Sequence, residues 1–261
     1  MILVTGGTGY IGSQVCKILE HRGLQYKVLS RENGPSRIKC DLLTVSDEEL
    51  TEILRPHTKI IHCAWYVEPE HYLKSTKNFD WIRATLRLAN AIGTESVEHF
   101  LSLGTCLEYQ SSEYPKDITH PLGSTSNYSL SKFLTLQGLS NILSTKRIPF
   151  AWCRVFHLHG GNEDPLRLMP SIRDALNSSR QIQIKNSSQL IDLSNVRTVA
   201  NDIVKISHGL TGEFNLCSGN GATIEHHVRY TFKTYDLDRL IEFQKCNFSI
   251  NNLSGIRNVP N

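Results

Sequence analysis

The chain has 261 residues, a prior of about 1.7 domains at roughly 150 residues each. Hydrophobic residues make up 39% and charged residues 20%, a globular balance that excludes a disordered chain. With 28 basic and 25 acidic side chains the net charge is +3, too small to indicate a nucleic-acid partner. The first residues run into glycines with no apolar stretch behind a basic start, and no run is long enough for a bilayer. A cytoplasmic chain without a membrane partner is therefore expected. Seven cysteines stand at 16, 40, 63, 106, 153, 217 and 246, none in a Cys-x-x-Cys pair. They are expected as small buried residues in a reducing compartment, with no metal site.

Residues 2–5 have a buried-strand pattern. Residues 10–21 follow as a helix with Ile11, Val15, Ile18 and Leu19 on one face and Gly23 as its stop. A second strand covers 26–30, and Asn33, Gly34 and Pro35 mark a loop. Ser46 with Glu49 resembles a capping box for a helix to about residue 55. Strands at 59–63, 99–103 and 150–156 alternate with helical patterns at 72–92 and 127–145. Such alternation predicts βαβ units, hence an α/β fold with a doubly wound, Rossmann-type parallel sheet. Beyond residue 160 the pattern is less regular. It predicts helices at 168–176, 196–208 and 223–235, and strands at 181–184, 190–193, 213–217 and 239–243.

The densest motif is Thr5-Gly6-Gly7-Thr8-Gly9-Tyr10-Ile11-Gly12, between the first strand and the first helix. Glycines permit a tight turn and let backbone amides approach a pyrophosphate. The helix start adds unsatisfied N–H groups and a partial positive charge. This predicts dinucleotide binding through Gly6, Thr8, Gly9, Tyr10, Ile11 and Gly12; a ligand-free turn is the alternative. The second strand ends Val28-Leu29-Ser30-Arg31-Glu32. An acid there would hold the ribose 2′-OH of NAD, whereas a guanidinium suits a 2′-phosphate. Ser30 and Arg31 thus favour NADP over NAD, and Glu32 is the neighbour that would reverse the choice.

Tyr128 and Lys132 form a Tyr-x-x-x-Lys pair on one face of a helix. An ammonium beside a phenol is expected to lower its pKa and make it an acid or base near neutral pH. Thr105 follows a strand, where its hydroxyl can reach a carbonyl at the sheet edge.

The glycine turn, Thr105, Tyr128 and Lys132, in this order, resemble the extended short-chain dehydrogenase/reductase (NAD-dependent epimerase/dehydratase) family over residues 1 to about 217. The resemblance implies a Rossmann-type domain with a smaller C-terminal substrate lobe, usually for nucleotide sugars. It implies that Tyr128 and Thr105 bind the substrate oxygen and that Lys132 contacts the nicotinamide ribose. The expected division is an NADP-binding domain over 1–160, with return segments near 190–217, and a small, discontinuous substrate lobe within 161–261. Asp41-Leu42 resembles the family's adenine-contacting pair, or else flanks a helix. His62-Cys63-Ala64-Trp65-Tyr66 resembles His-x-Ala-Ala, whose backbone at Cys63, Ala64 and Trp65 passes the cofactor. Trp65 and Tyr66 would then border the sugar, with plain packing as the alternative.

Arg154-Val155-Phe156-His157 resembles Arg-x-x-Asn, which puts His157 where the family often contacts substrate. The family's nucleotide-binding Arg is Ile191 here. Arg167 and Arg197 are the candidate replacements, or else solvated surface charges. Dehydratases of the family place Asp-Glu directly after the active-site Thr; Cys106 and Leu107 stand there, which argues against dehydration. The thiol of the GDP-fucose synthase type would fall at Leu107. A 4-epimerase needs no extra base but holds NAD tightly, against Arg31. The segments Gly-Thr-Cys-x-Glu-Tyr and Ala-Trp-Tyr-x-x-Pro look most like reductases of CDP-, dTDP- or GDP-4-keto-6-deoxyhexoses. These make precursors of bacterial surface polysaccharides such as the lipopolysaccharide O-antigen, and the likeness adds Cys106 and Glu108 to the expected substrate contacts. The expected reaction is NADPH-dependent reduction of the 4-keto group. The alternatives are a 4-epimerase and a catalytically silent NADP sensor or scaffold. A homodimer through the helices near 72–92 and 127–145 is also implied.

Overall fold

The computed structural model describes residues 1–93, 97–245 and 252–260. Its centre is a seven-stranded parallel sheet. In chain order the first half contains β1 (Ile2–Thr5), α1 (Tyr10–His21), β2 (Tyr26–Ser30), β3 (Arg37–Lys39), α2 (Asp47–Leu54), β4 (Lys59–His62), α3 (Lys77–Asn90), β5 (His99–Thr105), α4 (Asn127–Thr145) and β6 (Phe150–Val155). The second half contains β7 (His157–His159), α5 (Leu168–Asn177), β8 (Ile182–Ile184), β9 (Leu190–Ile191), β10 (Leu193–Asn195), α6 (Val196–Ile206), β11 (Gly212–Leu216), β12 (Ala222–Thr223), α7 (Ile224–Thr231), α8 (Leu237–Leu240) and β13 (Ile241–Phe243).

The strand order is β11-β6-β5-β4-β1-β2-β3. The chain builds outward in one direction from β1 and then in the other from β4. A crevice opens at such a reversal, beyond the carboxyl ends of the strands. The strands read as continuous apolar runs because both faces are covered. Their side chains alternate between two cores. Ile2, Val4, Ile61, Leu101 and Cys153 join α1 and α6 on one face. Leu3, Ile60, Phe100 and Trp152 join α2, α3 and α4 on the other. A separate apolar cluster of Met169, Ile172, Leu176, Val228, Phe232 and Ile241 ties α5, β8, α7, α8 and β13 together. Residues 252–260 return to the sheet edge. The Asn258 side chain accepts from Asn215 N at 2.7 Å and donates to Glu213 O at 2.9 Å, so it stands in for a neighbouring strand beside β11.

The differences from the sequence expectation are local. The helix expected over 72–92 begins at Lys77, because Asn78 Nδ2 caps the carbonyls of Tyr72 and Ser75 at 2.6 and 2.9 Å and holds 68–76 as turns. The strand expected at 190–193 is split by Asp192, whose carboxylate accepts from the backbone N–H groups of Ser218 and Gly219. Of the strand expected at 239–243, the first part is the helical turn Leu237–Leu240. Six cysteines are unbonded, and Cys246 lies outside the described residues. Among the described residues no helix is long and apolar enough to cross a membrane, and no group of three or more potential metal ligands occurs.

The β1–α1 turn is the tightest point. Gly6 has φ +67°, and a Cβ there would sit 2.6 Å from Ala64 N; a Cβ on Gly12 would run into the Gly6 carbonyl. We expect Gly12→Ala to destabilise the fold by about 2–3 kcal/mol, lowering Tm by about 5–10 °C in a thermal melt. An unchanged Tm would contradict this packing.

Candidate active site

A cavity of about 1010 Å³ lies along the carboxyl ends of the central strands. Gly6, Thr8, Gly9, Tyr10, Ile11 and Gly12 line its middle. Gly9 is the N-cap of α1 and offers no side chain to the first-turn N–H groups, and that turn carries no acidic residue. The exposed helix start fits an anionic group. Tyr10 donates to Gly160 O at 2.8 Å, so the phenol fastens this turn to the loop after β7.

At one end Ser30, Arg31, Asp41 and Leu42 line the cavity. Ser30 Oγ accepts from Glu32 N at 3.1 Å, and the Glu32 carboxylate pairs outward with Arg37 at 3.6 Å. Arg31 therefore faces the cavity and Glu32 does not. Asp41 Oδ1 accepts from Leu43 N at 3.0 Å and shapes the turn that presents Leu42. The glycine cradle, the free helix start and this lining together fit a dinucleotide.

Thr105, Tyr128 and Lys132 meet on the cavity floor. Thr105 ends β5, and Tyr128 and Lys132 lie on the first turns of α4. Ser126 caps α4 by accepting from Ser129 N at 3.1 Å, and Tyr128 N donates to Leu73 O at 3.1 Å. The Thr105 hydroxyl and the Tyr128 phenol both line the floor, and Thr105 favours the ionised form of the phenol. Tyr72 meets the Tyr128 ring edge-on, with centroids 4.9 Å apart.

Lys132 lies on the cavity floor with Tyr128, four residues on along the same helix, as the spacing predicts. Its Nζ donates to Leu103 O at 2.8 Å and sits 3.6 Å from the Trp65 ring centroid, but 6.0 Å from that of Tyr128. The expected lowering of the Tyr128 pKa is reversed. Burial pushes the phenol well above its ordinary value, helped by Tyr72 and Glu108, and the Thr105 hydroxyl only partly offsets this. Burial also pulls the Lys132 ammonium down to about 7, against the pull of Glu108.

At the other end, His157 and Arg167 line the cavity. His157 stands on β7, and its buried Nε2 has no hydrogen-bond partner among the described residues. Burial lowers its pKa to about 4, so the ring is neutral at neutral pH. Arg167 is the N-cap of α5 and places its guanidinium 5.5 Å from the Tyr10 ring centroid. Cys63 and Ala64 pass the cavity at the end of β4, and Trp65 and Tyr66 follow. Tyr66 donates to Glu68 Oε2 at 2.7 Å. Cys106 reaches the wall as a thiol that burial pushes up to about 12, which leaves it no acid–base role near neutral pH.

Two expected substrate contacts do not reach the cavity. Glu108 is turned into the protein at 0% exposure, where its carboxylate accepts from Arg154 Nε at 2.9 Å and Trp152 Nε1 at 3.0 Å. Arg197 projects into solvent from the first turn of α6 and lies outside the cavity lining. The sequence reading also missed Tyr72, Lys77, Trp81 and Glu163, all of which line the cavity. Pro69 and the Ser75–Thr76 pair were the available signals that 68–76 is a turn rather than helix.

A profile of the NAD dependent epimerase/dehydratase family matches residues 2–213. The chain belongs to this family. Among its relatives, dTDP-6-deoxy-L-talose 4-dehydrogenase (NAD(+)) of Aggregatibacter actinomycetemcomitans is 21% identical, over 90% of this chain and 91% of that protein. UDP-glucose 4-epimerase of Rhizobium meliloti is 25% identical, over 86% and 78%. Among solved structures, MoeE5 in complex with UDP-glucose and NAD superposes with a TM-score of 0.81 at 18% identity, over 97% of this chain and 88% of that one. Thermus thermophilus UDP-glucose 4-epimerase in complex with NAD gives 0.78 at 20%, over 97% and 89%. At these identities the structural likeness concerns the fold.

His62 pegs the cavity floor. Its Nδ1 bonds Thr5 Oγ1 at 2.7 Å and its Nε2 bonds Thr85 Oγ1 at 2.9 Å. Burial, then Lys132, lowers its pKa from 6.5 to about 3. The folded state therefore keeps it neutral while the unfolded chain protonates it below about 6.5, so its contribution to stability falls as pH drops from 6.5 towards 3. We expect His62→Gln to cost about 1–2 kcal/mol at neutral pH. That gap should shrink at each lower pH in urea melts run between neutrality and pH ~4. A gap independent of pH would contradict a neutral His62.

Proposed function

We propose that this chain is an NADPH-dependent reductase of the 4-keto group of a nucleotide-linked 4-keto-6-deoxyhexose. The observation that carries the reading is that Thr105 and Tyr128 line one cavity beside the glycine turn, with the phenol kept protonated by burial. Reduction of a ketone needs a proton donor at the carbonyl oxygen, and a protonated phenol is one. Tyr128 gives the proton, and Thr105 orients and polarises the same oxygen. A nicotinamide dinucleotide bound in the cradle supplies the hydride. Lys132, held by Leu103 O and the Trp65 ring, would contact the nicotinamide ribose. His157 and Arg167 offer an unpaired imidazole nitrogen and a guanidinium to the sugar and its diphosphate.

Cys106 and Leu107 provide no acid–base pair after Thr105, which weighs against dehydration. Arg31 facing the cavity, with Glu32 paired to Arg37, supports a 2′-phosphate. The relative named a dTDP-6-deoxy-L-talose 4-dehydrogenase supports oxidoreduction at a 4-position, though its name carries NAD(+). The second reading is a 4-epimerase with bound NAD, favoured by the match to UDP-glucose 4-epimerase. We assign residues 1–160 and the return segments near 190–217 to the dinucleotide domain. The segment from 161 carries the substrate lobe, and 252–260 pack on the dinucleotide domain at β11.

Incubation with NADPH or NADH and a panel of nucleotide-linked 4-keto-6-deoxyhexoses should give loss of reduced-cofactor absorbance, faster with NADPH. We expect Tyr128→Phe to lower kcat about 10²–10⁴-fold with KM little changed. We expect Arg31→Ala to raise KM for NADPH about 10–100-fold and leave that for NADH unmoved. No turnover across the panel, or UDP-glucose epimerisation without added cofactor, would replace this reading with the second.

A further inference from the structure

Glu108 is a buried carboxylate that the proposed chemistry does not use. It ends the short turn Cys106–Glu108 behind Thr105. Its Oε1 accepts from Thr105 N at 2.7 Å, while Oε2 accepts from Trp152 Nε1 and Arg154 Nε. Glu108 and Arg154 are both 0% exposed. Gly104 makes the approach feasible, since a Cβ there would lie 2.6 Å from Glu108 Oε1 and would collide with the Trp152 indole. Arg154 is held in turn by Glu213 Oε2 at 2.5 Å and by the Tyr109 phenol, which accepts from Nη1 at 3.3 Å. Tyr109 donates to Asn215 Oδ1 at 2.7 Å on β11. Two neighbouring strands, β5 and β6, thus meet the carboxylate at the active-site turn, and β11 reaches it through Arg154 and Tyr109.

Burying an ion pair costs several kcal/mol per charge before attraction repays it. A neutral pair would hold the turn at less cost. What a neutral pair would not supply is negative charge near the floor of the cavity. We propose that Glu108 is a positioning residue for the Thr105–Tyr128–Lys132 set: its carboxylate pins the Thr105 amide at the end of β5 and so fixes the turn that carries the threonine hydroxyl, and that amide stands two residues along β5 from the Leu103 carbonyl that holds Lys132, where the carboxylate's charge supports the ammonium. The catalytic part of this inference rests on the reading of the site given above. The charges facing the floor agree with it. Burial opposes the Lys132 ammonium, Glu108 and Cys63 favour it, and the neutral His62 imidazole faces it. Tyr128 is faced by Tyr72, Glu108, Thr105 and Cys106. Burial pushes the Glu108 carboxyl up on balance, and Arg154, the Thr105 amide and the Trp152 indole offset this only in part.

The test uses full-length protein with isotope-labelled lysine, followed by NMR through a pH titration. The Lys132 resonance is assigned as the one missing from Lys132→Met. Glu108→Gln keeps the shape and an acceptor but removes the charge. Its Lys132 midpoint is expected to fall below that of the unaltered protein by about one pH unit or more. In the reductase assay its kcat should drop about tenfold or more with KM little changed, as expected for a misplaced hydroxyl, and its pH profile should move in the same direction as the titration. An unshifted midpoint in folded Glu108→Gln would overturn the inference. Should that variant not fold, Glu108→Gln with Arg154→Met removes both charges and gives the same comparison. Failure of both to fold would assign the pair to stability alone and overturn it too. The titration needs no turnover. A shifted midpoint in a protein that reduces no sugar sinks the function and leaves Glu108 facing Lys132; turnover with an unshifted midpoint does the reverse.

Discussion

The close approach of α1 to the ends of β1 and β4 is the constraint on which the site depends. The chain can make it only where Gly6 and Gly12 leave out a side chain. That contact fixes where the α1 N-terminus points, and its uncapped amides fix where an anion is favoured. The reversal of strand order lies beside it, between β1 and β4. Ser30 and Thr105 end strands on opposite sides of that reversal, three strand spacings apart. At about 4.8 Å per spacing this is about 14 Å. A site of that span suits an extended ligand lying across the sheet, with its anionic centre at the helix and its two ends on different strands.

Along the floor, desolvation decides where protons sit. Tyr128 stays a phenol and His62 a neutral imidazole, and the Lys132 ammonium is weakened to about 7. Each of these groups is driven towards its uncharged form by the same low-polarity surroundings. The Glu108 carboxylate lies close behind them with the opposite arrangement: it is surrounded by donors and paired with Arg154. On this floor, groups driven towards neutrality thus stand in front of a compensated ion pair. Proton transfer at Tyr128 consequently changes the charge of the cavity itself and leaves the supporting pair untouched.

The glycine turn, β1, β2 and, β3 apart, the order of strands and helices up to β6 were legible because they depend on local residue pattern. The Thr105, Tyr128 and Lys132 positions were legible from order along the chain. What escaped were features decided by contact. Strand β3 is three residues, two of them charged, and exists through its pairing with β2. Tyr72 was assigned to a helix because the capping by Asn78 cannot be seen in a periodicity. Glu108 sits three residues after Thr105, and proximity suggested a substrate contact, but the intervening helical turn rotates it inward. The side of a turn on which a residue falls is set by backbone geometry, which a linear motif does not contain. Helical spacing puts Lys132 on the Tyr128 face, but the partners that compete for its ammonium and hold it, the Trp65 ring and the Leu103 carbonyl, come from other elements that spacing does not show.

That competition links parts of the floor that no motif joins. The Trp65 indole donates to Asn78 Oδ1 at 2.9 Å and lies against Trp81, with centroids 6.3 Å apart. Asn78 is fully buried and its amide also holds the carbonyl of Tyr72, whose ring abuts Tyr128. One asparagine therefore supports both the ring that holds Lys132 and the ring that packs on Tyr128. A shift of Trp65 away from Lys132 would weaken the cap on the 68–76 turn, and a shift of that turn would loosen Tyr72 from Tyr128. An ammonium on an indole face is worth about 0.5–2 kcal/mol, comparable with a single hydrogen bond. Neither contact dominates the other, so the placement of Lys132 and the packing of Tyr128 are set together through Asn78.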